Sequence, residues 1–292
     1  MPDTDLPPTV ATALRAPTEG ERVAVEAAGI PWSAISWGDP AARPLLLIHG
    51  VTSSAATWWR IGPALAATDR RVVAVDLPGH GATGHWQGHH RFRDNAADVA
   101  AFVRAAGLER EGLQVVGHSW GAVTAAALPA AGLRPSTIVL IDPPVVPHAF
   151  IAREAEDSTA QTDPDMAQAV AAVRAANPDW DEGDVLANAE ALTQLDEAAA
   201  RSVLLDNGDW DGGLADLADP AAVDIPVWLV RGEPSSGSYL AEAAVPEFAA
   251  RIGADHIITI AGGPHSPHRT HPVETLTSLL RALGADADRS MP

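Results

Sequence analysis

A serine set between two glycines is the pattern in this chain best suited to covalent chemistry. Gly117-His118-Ser119-Trp120-Gly121 follows the apolar run 113–116 and precedes the helix-forming stretch 122–128. The spacing fits G-x-S-x-G, in which a sharp strand-to-helix turn holds a strained serine with its hydroxyl exposed. Glycines two before and two after let the neighbouring backbone pass that close. A serine hydroxyl is a weak nucleophile until a base takes its proton. Of the 11 histidines, His265 is best placed, because it follows the apolar run 256–260 by the short glycine-rich loop 261–264. His268 and His271 share that segment, but no nearby carboxylate completes a metal-ligand set, so no metal is expected. His85, His89 and His90, with Trp86, read as a solvated loop. His49 and His80 read as histidines that hydrogen-bond loops, and His118 as one packed beneath the elbow.

These residues need a frame that brings them to one edge. Short apolar runs bounded by Gly, Pro or Asp recur at 22–26, 32–37, 44–48, 71–75, 113–116, 137–141, 226–230 and 256–260, and read as strands. Helix-period stretches lie between the later ones, such as 94–106 closed by Gly107 and 272–283 closed by Gly284. Strands alternating with helices predict a mostly parallel sheet covered on both faces. The first two runs have no helix between them and predict an antiparallel edge. From 147 to 220 the alternation stops: no strand candidate appears, and helical stretches stand near 166–176, 184–195 and 197–205. An insertion at that place lies near the carboxyl ends of the sheet strands and reads as a helical cap over a pocket. The expected organisation is an extension at 1–20, a core from 21–146 and 221–284, a cap at 147–220 and a tail at 285–292.

Composition removes other chemistries. The 292 residues are 47% hydrophobic and 20% charged, which is enough chain for a sizeable core. Thirty-eight Asp and Glu against 19 basic residues give a formal charge of -19, so neither nucleic acid nor an anionic membrane is an expected partner. There is no cysteine, which excludes disulfides, thiolate nucleophiles and zinc–thiolate sites. All basic residues are arginine, which excludes Schiff-base, pyridoxal-phosphate and P-loop chemistry. The opening segment is acidic and interrupted by Pro2, Pro7, Pro8 and Pro17, so it lacks the pattern of a secretory signal and a cytoplasmic location is expected.

The motifs, taken in order, resemble those of the α/β-hydrolase family from about Glu21 to Leu283. Leu45-Leu46-Leu47-Ile48-His49-Gly50-Val51-Thr52 is similar to that family's strand and oxyanion loop, and Asp76-Leu77-Pro78-Gly79-His80-Gly81 to its next loop. The elbow follows, and His265-Ser266-Pro267-His268 with Pro272 resembles its histidine loop; Pro264 stands where the family usually has glycine. The resemblance implies an α/β-hydrolase fold with an eight-stranded mostly parallel sheet, helices on both faces and an inserted helical cap. It also implies a serine nucleophile (Ser119), a histidine base (His265), an acid, and an oxyanion hole from the N–H groups of Val51 and Trp120. The acid most often lies three residues after a glycine ending the seventh strand, where this chain has Ser235. A minority of the family places it after the sixth strand, where Asp142 stands; Asp142 is favoured, with Glu233 as the alternative.

The implied activity is hydrolysis of a carboxylic ester through an acyl-enzyme, with no cofactor. The substrate is a small molecule with an apolar portion, for which Trp58, Phe150, Trp180 and Trp210 are candidate contacts. Lactone or carbon–carbon bond hydrolysis and cofactor-free perhydrolysis would run on the same machinery, and a non-catalytic binding protein would retain only the fold. Relatives that open epoxides or displace halide use an aspartate nucleophile, against which Ser119 argues.

Overall fold

The computed structural model describes residues 6–84, 88, 90–160, 165–222 and 224–284, so His85, Trp86 and His89 lie outside the described residues. In chain order, α1 (Pro8–Arg15), β1 (Glu21–Ala27), β2 (Ile30–Trp37), β3 (Arg43–Ile48), α2 (Ile61–Ala66) and β4 (Arg70–Val75) come first. Next are α3 (Phe92–Ala105), β5 (Gln114–His118), α4 (Trp120–Ala127), β6 (Thr137–Ile141) and β7 (Val145–Val146). The inserted region holds α5 (His148–Ala160), α6 (Met166–Ala176), α7 (Glu182–Thr193), α8 (Glu197–Leu205), β8 (Trp210–Asp211) and α9 (Leu214–Leu217). The chain then runs through β9 (Val227–Arg231), α10 (Val245–Ile252), β10 (Ile257–Thr259), α11 (Pro267–Thr270) and α12 (Pro272–Ala282).

The main sheet has eight strands in the order β1-β2-β4-β3-β5-β6-β9-β10. β1 and β2 form the expected antiparallel edge, β2 runs antiparallel to β4, and the other neighbours are parallel. Side chains alternate between the two faces of each strand, and both faces are buried, which is why β3 reads as the unbroken apolar run Leu45-Leu46-Leu47-Ile48. Leu46, Ile48, Val73, Val75 and Val115 join one core with α3 residues such as Phe102 and Val103. Leu45, Leu47, Val72, Ala74 and Val116 join a second core with residues of α1, α2 and α12.

Register places the site. Ile48 of β3 pairs with Gly117, His118 with Ile141 of β6, and Ile141 with Val230 of β9. The loops leaving these parallel strands therefore open at one carboxyl edge. Above it, α6, α7 and α8 each start on an aspartate that caps backbone N–H groups: Asp165, Asp181 and Asp196. α6 and α7 share a small apolar cluster of Ala169, Val173, Val185, Ala189 and Leu192. α7 is tied to the loop after β3, where Asn188 Nδ2–H donates to Thr52 O at 2.7 Å and Arg60 pairs with Asp184 at 2.5 Å.

Two features differ from the sequence expectation. The inserted region does contain a strand, since β8 pairs antiparallel with β7 through Val145–Asp211 and Val146–Trp210. Two residues are too few for a period-2 pattern to be visible. Residues read as an extension include α1, whose Val10 and Leu14 are buried in the second core; Pro7 and Pro8 stand at its N-terminus, where proline is tolerated.

Candidate active site

Ser119 sits between β5 and α4 with φ +55, a left-handed conformation rare for a residue with a side chain. Its N–H donates to Ile141 O at 3.0 Å, and its carbonyl accepts from Ala122 N–H at 2.9 Å in the first turn of α4. The flanking glycines are required by close backbone approach. A Cβ at Gly117 would lie 2.1 Å from Gly121 O, and one at Gly121 would lie 2.4 Å from Ile48 O. The elbow is thereby wedged against β3, which fixes the side chain that projects from it.

His265 Nε2 lies 2.9 Å from Ser119 Oγ, and His265 Nδ1 lies 2.7 Å from Asp142 Oδ2. Asp142 follows β6, is 0% exposed and has φ +43. Its carboxylate also accepts from Gly232 N–H (3.0 Å), Ser238 O–H (2.6 Å) and Tyr239 N–H (3.1 Å). A carboxylate can only accept, so Nδ1 carries the imidazole proton and Nε2 is left with a lone pair facing the serine hydroxyl. Glu233, the alternative acid, makes no such contact: its carboxylate accepts from Gly262 N–H at 3.1 Å. That contact ties it to the 261–264 loop, and among the described residues no hydrogen bond joins it to His265.

Val51 and Trp120 bring their backbone N–H groups to the ends of β3 and β5. Among the described residues neither N–H is taken by another acceptor. The peptide before Val51 is oriented from behind: His49 Nδ1–H donates to Gly50 O at 2.7 Å, while His49 Nε2 accepts from Leu77 N–H at 3.0 Å. Because C=O and N–H of a trans peptide point oppositely, holding Gly50 O toward His49 directs Val51 N–H the other way. Gly50 itself has no room for more, since a Cβ there would meet Ser119 Cβ at 3.0 Å. Asp76 braces the same loop by accepting from Ala55 N–H at 2.7 Å and Ala82 N–H at 3.1 Å. His80 Nε2 lies 2.7 Å from Val51 O.

A cavity of about 210 Å³ opens over Ser119 and His265. Of the four aromatic residues expected at a substrate wall, Trp180 and Trp210 line it and two do not. Trp58 is 1% exposed and stacks on His268 at 5.1 Å, so its ring fills the core behind the histidine loop. Phe150 packs edge-on against Tyr239 at 5.4 Å, outside that cavity. His118 does not pack beneath the elbow alone; it lines the cavity, and its Nε2–H donates to His265 O at 2.8 Å.

The alpha/beta hydrolase family model matches residues 45–278, a stretch that contains every group described above. The chain belongs to the alpha/beta hydrolase family. Curated relatives match over shorter stretches. A serine hydrolase-like protein of Danio rerio is 34% identical over 97 residues, 32% of this chain and 29% of that protein. Epoxide hydrolase B of Mycobacterium tuberculosis is 36% identical over 83 residues, 28% of this chain and 23% of that protein. The match thus spans less than a third of the length of either relative. The solved structure of E-2-(acetamidomethylene)succinate hydrolase superposes with a TM-score of 0.77 at 21% identity, covering 91% of this chain and 99% of that one, a likeness of fold.

Within this alpha/beta hydrolase, the imidazoles behind the site are held neutral. Burial pushes His49 down to about 4, and burial, with the repulsion that would arise between two charged imidazoles at His80 and His49, pushes His80 down to about 3. Burial, reinforced by His268 and His265, keeps His118 well below its ordinary value, and burial with the Arg269 charge does the same to His268. Among the described residues no group of three or more His, Cys, Asp or Glu could hold a metal ion. Four residues at the site escape the sequence reading. Ser238 and Tyr239 bind Asp142 from 96 and 97 positions later, and the Tyr239 ring stacks on His265 at 4.3 Å. Tyr239 is the chain's single tyrosine, the one signal that could have marked it. Ser53 and Arg269 meet in the cavity wall at 2.9 Å from loops with no shared pattern.

Proposed function

We propose that this chain is a serine hydrolase that cleaves a carboxylic ester through an acyl-enzyme on Ser119. The observation that carries the reading is the unbroken line from Ser119 Oγ to His265 Nε2 at 2.9 Å and from His265 Nδ1 to Asp142 Oδ2 at 2.7 Å. Ser119 Oγ attacks the ester carbonyl carbon as its proton passes to His265 Nε2, and the carbonyl oxygen becomes an oxyanion. The Val51 and Trp120 N–H groups take that charge, a contribution of about 3–4 kcal/mol to the barrier for each well-aimed donor. His265, now a cation whose Nδ1–H points at Asp142, returns the Nε2 proton to the leaving alcohol as the tetrahedral species collapses. Water then repeats the sequence on the acyl-enzyme, releasing the acid and restoring Ser119.

The remaining contacts support this reading. Asp142 keeps its orientation through three further donors, so it fixes the imidazole tautomer instead of relaxing onto it. The Tyr239 ring over one face of His265 limits rotation out of line. Epoxide opening, the reaction named for the mycobacterial relative, has less support, because the elbow presents a hydroxyl and not a carboxylate. The substrate is a small molecule that enters the cavity, without nucleic acid, membrane or cofactor, and the cytoplasm is its proposed location. Stopped-flow hydrolysis of p-nitrophenyl acetate tests the chemistry: a nitrophenolate burst stoichiometric with enzyme is expected, lost in Ser119→Ala. Equal nitrophenolate release by Ser119→Ala and the parent protein would overturn the proposal.

A further inference from the structure

One charged side chain of the cavity wall plays no part in the mechanism above. Arg269, on α11, is 4% exposed and lines the same cavity as Ser119. Its guanidinium lies between two other wall residues: Nη2–H donates to Ser53 Oγ at 2.9 Å, and Cζ lies 4.3 Å from the centre of the Trp180 ring. Among the described residues no carboxylate stands within ion-pair distance of it. Asp184, whose charge reaches Arg269, is already committed: its oxygens accept from Trp59 Nε1–H at 3.0 Å and Arg60 Nη2–H at 2.5 Å. Burial lowers Arg269 only to about 10, so it stays cationic at neutral pH. The neighbouring His118 and His268 are held neutral and add no second positive charge beside it.

A buried guanidinium with no ion-pair partner of its own, balanced only at a distance by Asp184, is costly unless something brings a negative charge to it. From this placement we infer that the substrate carries a carboxylate, and that Arg269 with Ser53 binds it while Ser119 attacks an ester at the other end. The inference rests on the ester-hydrolase reading of the site. The guanidinium fork matches a carboxylate, and Ser53, which accepts from Arg269, keeps its own O–H to donate. The other ionisable group of opposite sign on the wall is Glu154 on α5, whose carboxylate accepts from Tyr239 Oη–H at 2.9 Å. That places the negative wall on the Tyr239 side and the positive wall on the Trp180 side, so a bound anion is directed to the latter. The cavity, about 210 Å³, is below the roughly 300 Å³ lower bound of drug-sized ligand pockets, which favours a short monoester of a dicarboxylic acid. A formal net charge of -19 would slow capture of such an anion, so selection falls to this buried cation and not to steering.

Calorimetric titration of the Ser119→Ala protein with monomethyl glutarate and with dimethyl glutarate reads the anion pocket without chemistry. The monoester should bind at least about 10-fold more tightly, the ratio expected for one charge-assisted hydrogen bond. Ser119→Ala/Arg269→Met should lose that ratio, with circular dichroism and melting showing that it folds. If that variant does not fold, the comparison of the two esters in Ser119→Ala decides alone. Equal binding of the two esters, tighter binding of the diester, or no binding of either would overturn the inference. Fluorophosphonate labelling of Ser119 in the parent protein, run in parallel, separates the two readings. Labelling with no preference for the monoester sinks only the carboxylate pocket, whereas a monoester preference without labelling sinks only the hydrolase.

Discussion

Asp142→Asn changes one atom at the centre of the site, and the structure constrains what the amide must do. Oδ2 faces His265 Nδ1–H and Tyr239 N–H, while Oδ1 faces Gly232 N–H and Ser238 O–H. Ser238 Oγ accepts from Leu240 N–H while its own O–H donates to Asp142 Oδ1. Wherever the new NH2 goes, it meets a backbone N–H: Tyr239's at one position, Gly232's at the other. On the Oδ2 side it also forces the imidazole to accept at Nδ1, which moves the ring proton to Nε2 and removes the lone pair that Ser119 needs. On the Oδ1 side the tautomer survives but the carboxylate charge that stabilises the imidazolium does not. Loss of tautomer control in a comparable Ser-His-Asp triad lowers kcat by about 10⁴, or about 5.4 kcal/mol of barrier. The buried donor left unpaired should cost about 1–3 kcal/mol of stability, read as a lower Tm. The assay is kcat on p-nitrophenyl acetate beside a melting curve, with Glu233→Gln as the comparison, expected within about 3-fold of the parent because its carboxylate meets only Gly262 N–H. An Asp142→Asn kcat within about 10-fold of the parent would refute the reasoning, because whatever the amide removes, tautomer control or carboxylate charge, would then contribute under about 1.4 kcal/mol.

Four further outcomes follow from the same geometry. His49, at about 4, and His80, at about 3, with His118 and His268 also depressed, bind protons in the unfolded chain at 6.5 before they do so folded. The unfolded state binds more protons in that window, so stability is full above about pH 6.5 and falls by about 1.4 kcal/mol per pH unit per histidine on acidification. Asp98, raised to about 6 by burial and Asp94, opposes this weakly because it is partly exposed. Urea titrations from pH 7 to pH 5 check the sign, and a pH-independent midpoint would contradict it. Gly121→Ala places a Cβ 2.4 Å from Ile48 O, and should cost about 3 kcal/mol or more in a denaturant titration. Arg60→Met leaves the 4%-exposed side chain of Asp184 without its ion-pair partner, and should cost about 3–5 kcal/mol, a figure that unchanged melting would disprove. His49→Phe removes the donor to Gly50 O, and should lower kcat by about 10²-fold through a misaimed Val51 N–H, with KM nearly constant.

The sheet was legible because burial on both faces writes unbroken apolar runs such as Leu45-Leu46-Leu47-Ile48, and β6 at 137–141 is bounded as its sequence implies. The elbow was legible for a different reason: Gly117 and Gly121 are dictated by backbone contacts that no other residue allows. Aromatic type does not reveal direction. Trp58 and Trp180 look alike in sequence, yet one fills the space behind His268 and the other covers the Arg269 guanidinium. Sequence leaves both Asp142 and Glu233 open as partners of His265, because each follows a strand that ends at the same edge. What separates their geometry is the turn of the 232–239 loop, whose Gly232, Ser238 and Tyr239 close on Asp142 from 90 or more positions away. The two-residue strands β7 and β8 are set by packing and are too short to carry a periodic signal, whereas α1 does carry one, with Val10, Ala11 and Leu14 on one face, that the surrounding prolines obscured.

Intact-mass analysis after incubation with a fluorophosphonate, beside Ser119→Ala, asks directly whether the hydroxyl 2.9 Å from His265 Nε2 is an activated nucleophile. The account predicts a single adduct on the parent protein, mapped to Ser119 by peptide sequencing and missing from the variant. Folded parent protein that takes no adduct, or an adduct that persists in Ser119→Ala, would contradict it.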